Sequence, residues 1–95
     1  MIIRQVSLKV PLDRQAEFAA FFRNEYREAM ARQSGFLGAR LLRSAESGED
    51  LQLMLEFASE EQAAAWRASA EHGRLSPRLK EYSPVTAVKV FLPLE

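Results

Sequence analysis

A chain of 95 residues with thirteen basic and thirteen acidic side chains has room for one domain and carries no net field to draw nucleic acid or an anionic membrane. The absence of cysteine excludes disulfides, thiolate nucleophiles, iron–sulfur clusters and zinc sites built on sulfur. The opening MIIRQVSLKV carries a charge within four residues and then alternates, which is strand-like and unlike a signal peptide, and no apolar run approaches the ~20 residues of a membrane helix; the expected location is cytoplasmic.

In that first segment Ile2, Val6, Leu8 and Val10 share one face, with Arg4 the exception among them, and Ile3, Gln5, Ser7 and Lys9 share the other. Pro11 ends the strand, and Asp13 is placed to cap a long helix over 14–33. Its apolar stripe runs Phe18, Phe22, Tyr26 and Met30 in steps of four, widened by Phe21 and Ala29, and Gly35 stands where a left-handed helix terminator belongs. Residues 36–45 and 51–58 predict an antiparallel hairpin around the polar turn 46–50, with Leu51, Leu53, Leu55 and Phe57 on one face of the second strand. Ser59 and Gln62 form a capping box for a second helix expected to reach about His72 and stop at Gly73. Residues 75–84 read as irregular or as a single short turn, and 84–94 as a last strand.

The order β-α-β-β-α-β specifies an α+β, ferredoxin-like fold: a single domain over 1–95, with a four-stranded antiparallel sheet carrying two helices on one face. The other sheet face is half apolar, offering Ile3, Met54 and, depending on register, Val88 or Phe91. A surface of that kind is expected to pair with a second copy, giving a homodimer with the two sheets stacked.

Gly35-Phe36, the segment EDLQLMLEF (49–57), the cap Ser59-Glu60-Glu61 and the spacing from Trp66 to His72 resemble the antibiotic biosynthesis monooxygenase-like family of dimeric α/β barrels. The resemblance spans nearly the whole chain. It implies a cofactor-independent oxygenase acting on a small aromatic or quinone-type compound, with no cofactor and no metal. A haem-degrading branch of that family is implied less well. Trp66 matches by position, but the first ten residues hold no asparagine and His72 lies too close to the tryptophan.

Trp66 is the one large residue among Ala63, Ala64, Ala65, Ala68 and Ala70, so it can plug the core or present a flat wall to an aromatic ligand. His72 has the only side chain whose ordinary pKa is near neutrality; it can serve as a proton acceptor in a pocket or sit exposed at a helix end favoured by the dipole. Six residues of ideal helix leave the two about 120° apart around the axis and roughly 9 Å apart along it, which puts His72 at the rim of any pocket that Trp66 faces. Tyr82 can close over that pocket or tuck its ring onto the core. Phe18 and Phe22 would supply an apolar inner wall, Tyr26 is a further candidate, and Arg40 can hold an anionic oxygen or stand solvated or in the dimer interface. Arg23, Arg27, Arg67, Arg74 and Arg78 read as solvated, interleaved with Glu28 and Glu71. With one histidine and no phosphate-cradling loop, metal and nucleotide chemistries are not expected, nor is a hydrolase triad. Against the oxygenase stands a second class, a non-catalytic, small-ligand-binding or stress-associated dimer, which needs no polar groups converging on Trp66.

Overall fold

The computed structural model describes all 95 residues. Strand β1 (Ile2–Lys9) lies inside an antiparallel sheet, between β3 (Asp50–Phe57) and β4 (Ala87–Phe91), with β2 (Phe36–Arg43) outside β3; the order is β2-β3-β1-β4. That order, with helices in both crossovers on one face, is the ferredoxin-like fold. The alternation read from the sequence decides the faces. Ile2 and Leu8 of β1 and Leu51, Leu53, Leu55 and Phe57 of β3 are buried beneath the helices, while Gln52, Met54 and Glu56 turn to the bare face.

After a 3-10 turn at Leu12–Arg14, the first crossover runs as α1 (Gln15–Phe21), a π turn (Phe22–Tyr26) and α2 (Arg27–Ala31). Asp13 falls inside the 3-10 turn and caps nothing; the Gln15 side-chain amide instead donates to the Val10 carbonyl at 3.1 Å. The π turn answers the spacing of the stripe. Steps of four residues overshoot an ideal α-helical turn by about 40° each, so Phe18, Phe22, Tyr26 and Met30 would wind off the sheet; one wider turn resets the phase. All four are buried.

Gly35 has φ 82°, and the space where a Cβ would stand is filled by the Gln62 side chain. Its carbonyl accepts from the Ala58 N–H at 2.7 Å, so the ends of the first crossover and of β3 meet at this residue. Leu37 is the extra residue of a bulge between Phe36 and Gly38, opposite Phe57 and Glu56. As expected, Ser59 caps the next helix, its hydroxyl accepting from the Gln62 N–H at 3.2 Å.

The second crossover departs from the sequence reading. Helix α3 (Glu60–Ala68) stops before His72, and α4 (Ala70–Tyr82) runs through Gly73 and across the segment expected to be irregular. The two join at Ser69, whose extended backbone (φ −73°, ψ 154°) ends one helix and begins the next. One hydroxyl serves both ends, donating to the Trp66 carbonyl at 2.7 Å and accepting from the His72 N–H at 3.1 Å. Pro77 sits within α4, where its missing N–H leaves the Gly73 carbonyl without an intrahelical partner. Pro77 and Gly73 are tolerated in the helix because Leu75 and Leu79 bury its inner face.

The helical layer stops short of β4, all of whose residues are exposed, while Ser83, buried at the end of α4, accepts from the Lys9 N–H at 2.9 Å and ties the connection to β1. Ser69→Ala removes a capping acceptor and the donor to Trp66. The expected loss is about 1 kcal/mol, within the 0.5–2 kcal/mol range for such caps. Urea denaturation measures it, and an unchanged midpoint would show that the joint does not depend on the hydroxyl.

Candidate active site

The break at Ser69 changes the relation between Trp66 and His72. On one helix their side chains would diverge; with a new axis starting at Ala70 the imidazole turns back onto the indole. The rings meet edge to face, with centroids 5.3 Å apart at 84°. Tyr26, carried inward by the end of the π turn, also meets the indole, at 5.6 Å and 85°. The three rings border a cavity of about 120 Å³ between β1, β3, β4 and α4, whose remaining wall is Val6, Leu55, Leu79 and Val88 with the hydroxyls of Ser76 and Thr86. Trp66 is 1% exposed, so it is packed from behind and presents one surface to the cavity; His72 is half-buried.

Three cations complete the lining: Arg4, half-buried on the helix-facing side of β1, and Arg67 and Lys80, both exposed. No carboxylate borders the cavity, and none of the three cations belongs to an ion pair: the pairs are Lys9–Asp50, Arg14–Glu17, Arg32–Glu71 and Arg78–Glu25. The electrostatics follow. Burial lowers the Arg4 pKa, and the Arg67 guanidinium lowers it further. Burial also lowers the pKa of His72 from its ordinary 6.5, with Arg4, Arg67 and Lys80 all adding to the effect. His72 stands in the first turn of α4, where the positive end of the helix dipole works in the same direction. Burial pushes the Tyr26 phenol up to about 12, against smaller pulls from the Trp66 indole and Arg4. At neutral pH the cavity therefore holds a neutral imidazole able to accept a proton, a phenol that keeps its own, and uncompensated positive charge.

Of the candidates read from the sequence, Trp66, His72 and Tyr26 come together here. The others do not. Tyr82 lies over α1, its phenol donating to the Glu17 carboxylate at 2.6 Å and its ring beneath the Arg14 guanidinium at 4.4 Å; it borders a separate surface depression with Lys9, Glu49 and Val85. Phe18 and Phe22 are core residues, packed against Tyr82 and Tyr26 respectively, and neither lines the cavity. Arg40 pairs in register with Met54 on the bare face of the sheet. Arg67, read as solvated, is a cavity residue, and Arg78 is not free but forms a two-pronged pair with Glu25. Arg4 was the signal available for the missed part of the site: one charge at a position where the alternation calls for an apolar residue.

A four-stranded split β-α-β sheet with both crossovers on one face is the ferredoxin-like class of fold, and here a ring-lined, cationic cavity lies beneath its second crossover. The sequence profile of the antibiotic biosynthesis monooxygenase family matches residues 1–78, and the chain belongs to that family. Among solved structures it is similar to SnoaB of Streptomyces nogalater, a cofactor-independent oxygenase, with 18% identity, a TM-score of 0.87, and coverage of 99% of this chain and 93% of that one. A Bordetella bronchiseptica protein described as an antibiotic biosynthesis monooxygenase gives 22% identity and a TM-score of 0.84, covering 99% and 98%. MhuD, solved as a mutant with two manganese protoporphyrins per active site, gives 20% and 0.83 over 100% and 96%. No curated protein matches. The residues here do not fit a porphyrin: about 120 Å³ holds one ring, and the imidazole that would ligate a metal is packed against the indole.

Because the folded pKa of His72 lies below the unfolded one, the unfolded chain binds the extra proton. The stability linked to this group is present above the unfolded value, about 6.5, and is lost as pH falls through the folded value. NMR titration of the single histidine is expected to give a midpoint below 6.5, and His72→Gln to flatten the acid limb of the stability profile; a midpoint above that value would contradict the cationic surroundings.

Proposed function

We propose that this single-domain chain works as a homodimeric, cofactor-independent monooxygenase on a small aromatic compound bound against Trp66. The observation that carries the reading is the convergence of the His72 imidazole, the Tyr26 phenol and the unpaired Arg4 guanidinium on one cavity beside the Trp66 indole. An activated phenol gives its O–H proton to His72. The ring, now electron-rich, passes electrons to dioxygen and forms a C–O bond to it at a ring carbon. Loss of that carbon's hydrogen with the outer oxygen leaves a carbonyl and one water, so phenol and dioxygen become quinone and water with no external reductant. Tyr26 and Arg4 hold the negative charge on substrate oxygen while it exists. The imidazole then returns its proton to the departing oxygen.

The bare sheet face supports the homodimer. Ile3 lies beside Phe91 in register, and Met54 lies between Gln5 and Arg40. Phe91 is 45% exposed and Leu42, on the same face, 42%. The runner-up, a non-catalytic binding or stress-associated dimer whose pocket holds a small ligand or nothing, is favoured by one observation: the cavity is smaller than the ~300–1,000 Å³ usual for ligand sites.

Oxygen uptake with small phenols and hydroquinones separates the two. His72→Ala should cut turnover by about 10²–10⁴ with little loss of stability, whereas Trp66→Ala should weaken binding and cost about 3–5 kcal/mol of folding free energy. Saturable binding without oxygen uptake would leave the ligand-binding reading in place. Independently, light scattering should find a dimer that Met54→Lys dissociates, since the new charge would sit buried beside Arg40; a lone species of 10.8 kDa in the unaltered protein would rule the dimer out.

A further inference from the structure

The charge around the cavity is not explained by proton transfer alone. One neutral acceptor and one donor suffice for that step, yet Arg4, Arg67 and Lys80 also face the same space with no carboxylate among the lining residues. The chain does not lack acids to balance them. Glu17, Glu25, Glu71 and Asp50 each pair with a base elsewhere. Arg4 is the sharpest case. A guanidinium half-buried on the helix-facing side of a strand, opposite Leu55 on one neighbour and Val90 on the other, loses hydration and gains no counter-ion from the protein.

We propose that the cavity is built for an aromatic acid of one ring, bound as its carboxylate, with the ring against Trp66 and Tyr26 and the carboxylate held by Arg4 and drawn in by Arg67 and Lys80. The volume sets the ring count: about 120 Å³, opening to solvent past the exposed Arg67 and Lys80, is of the order of the ~150 Å³ closed cavity that admits benzene, and it is far short of what a fused polycycle fills. The wall sets the ring's character, since Trp66, Tyr26, Val6, Leu55, Leu79 and Val88 offer π and aliphatic surface. The guanidinium sets the anion's shape, because its planar fork matches a carboxylate with two parallel hydrogen bonds. This rests on the oxygenase reading for the location of the site and narrows its substrate class; it does not depend on turnover.

Trp66 is the only tryptophan, so its emission reports this cavity alone. Titration of the full chain with benzoate is expected to change that emission saturably. Benzoate should bind about tenfold more tightly than its neutral isostere benzamide, the advantage should shrink in high salt, and acetate, which lacks the ring, should bind more weakly than either. Arg4→Gln should bring benzoate and benzamide to equal affinity. Where Arg4→Gln fails to fold, Arg67→Gln at its exposed position should reduce the same preference. Benzamide binding as tightly as benzoate, no response to benzoate, or a preference untouched by these substitutions would overturn the proposal. Benzoate binding with the expected preference but no oxygen uptake with any hydroxylated benzoate would sink the oxygenase reading and leave the anion site standing.

Discussion

The hydroxyl of Ser69 holds two helix ends at once, and the arrangement of the cavity depends on it. Without a break at that position Trp66 and His72 would share one axis and diverge; with it, the carbonyl of one and the N–H of the other are tied to the same oxygen, at 2.7 and 3.1 Å. The indole then meets both imidazole and phenol at nearly right angles. Further along, α4 is secured by polar contacts to the first crossover, Glu71 to Arg32 and Gln33, and Arg78 to Glu25. Those surface pairs contribute little each, on the order of 1 kcal/mol or less, but they set the direction in which the second axis leaves the joint.

The break also reverses the field on the histidine. At the end of a helix an imidazolium is welcomed by carbonyl dipoles; in the first turn of a helix it is opposed by N–H dipoles. Here the opposition is reinforced by burial and three cations, and the same histidine changes from a group that favours its proton to one that gives it up. A single extended residue thus decides the local protonation chemistry as well as the geometry.

What could be read in advance was whatever depended on periodicity. The strand alternation, the hairpin, the Ser59 cap and the resulting β-α-β-β-α-β order all follow from local patterns that the fold reinforces, although the Gln62 amide, expected to return to the Ser59 N–H, reaches Ser34 instead. Trp66, His72 and Tyr26 could be named as candidates because their side-chain chemistry is distinctive. Their meeting could not, because it turns on Ser69, one serine in an alanine-rich run whose hydroxyl has no local signal distinguishing a mid-helix position from a cap. Gly73 points the wrong way for the complementary reason: propensity argues for a stop, and packing through Leu75 and Leu79 outweighs it. Ring chemistry alone puts Phe18 and Phe22 on a pocket wall, whereas the phase of the first crossover sends them to the core; of the two readings of Tyr82, the ring tucked onto the core is the one the structure has, against Phe18 and Phe21. Arg40 fell on the bare face by the same parity that put Arg4 beneath the helices.

Gly35 shows what a short shared motif is worth. Its left-handed backbone and the Gln62 amide seated where a side chain would begin make it a point of contact between three parts of the chain, and it does not line the cavity. The Gly-Phe pair that makes the chain look like its relatives is therefore an imprint of packing. Two proteins that share it share a way of turning from a helix into a strand beneath another helix, and need share no reaction. Kinship in this architecture is inherited through the scaffold's corners, while chemistry is free to change at the few cavity positions that no such corner constrains.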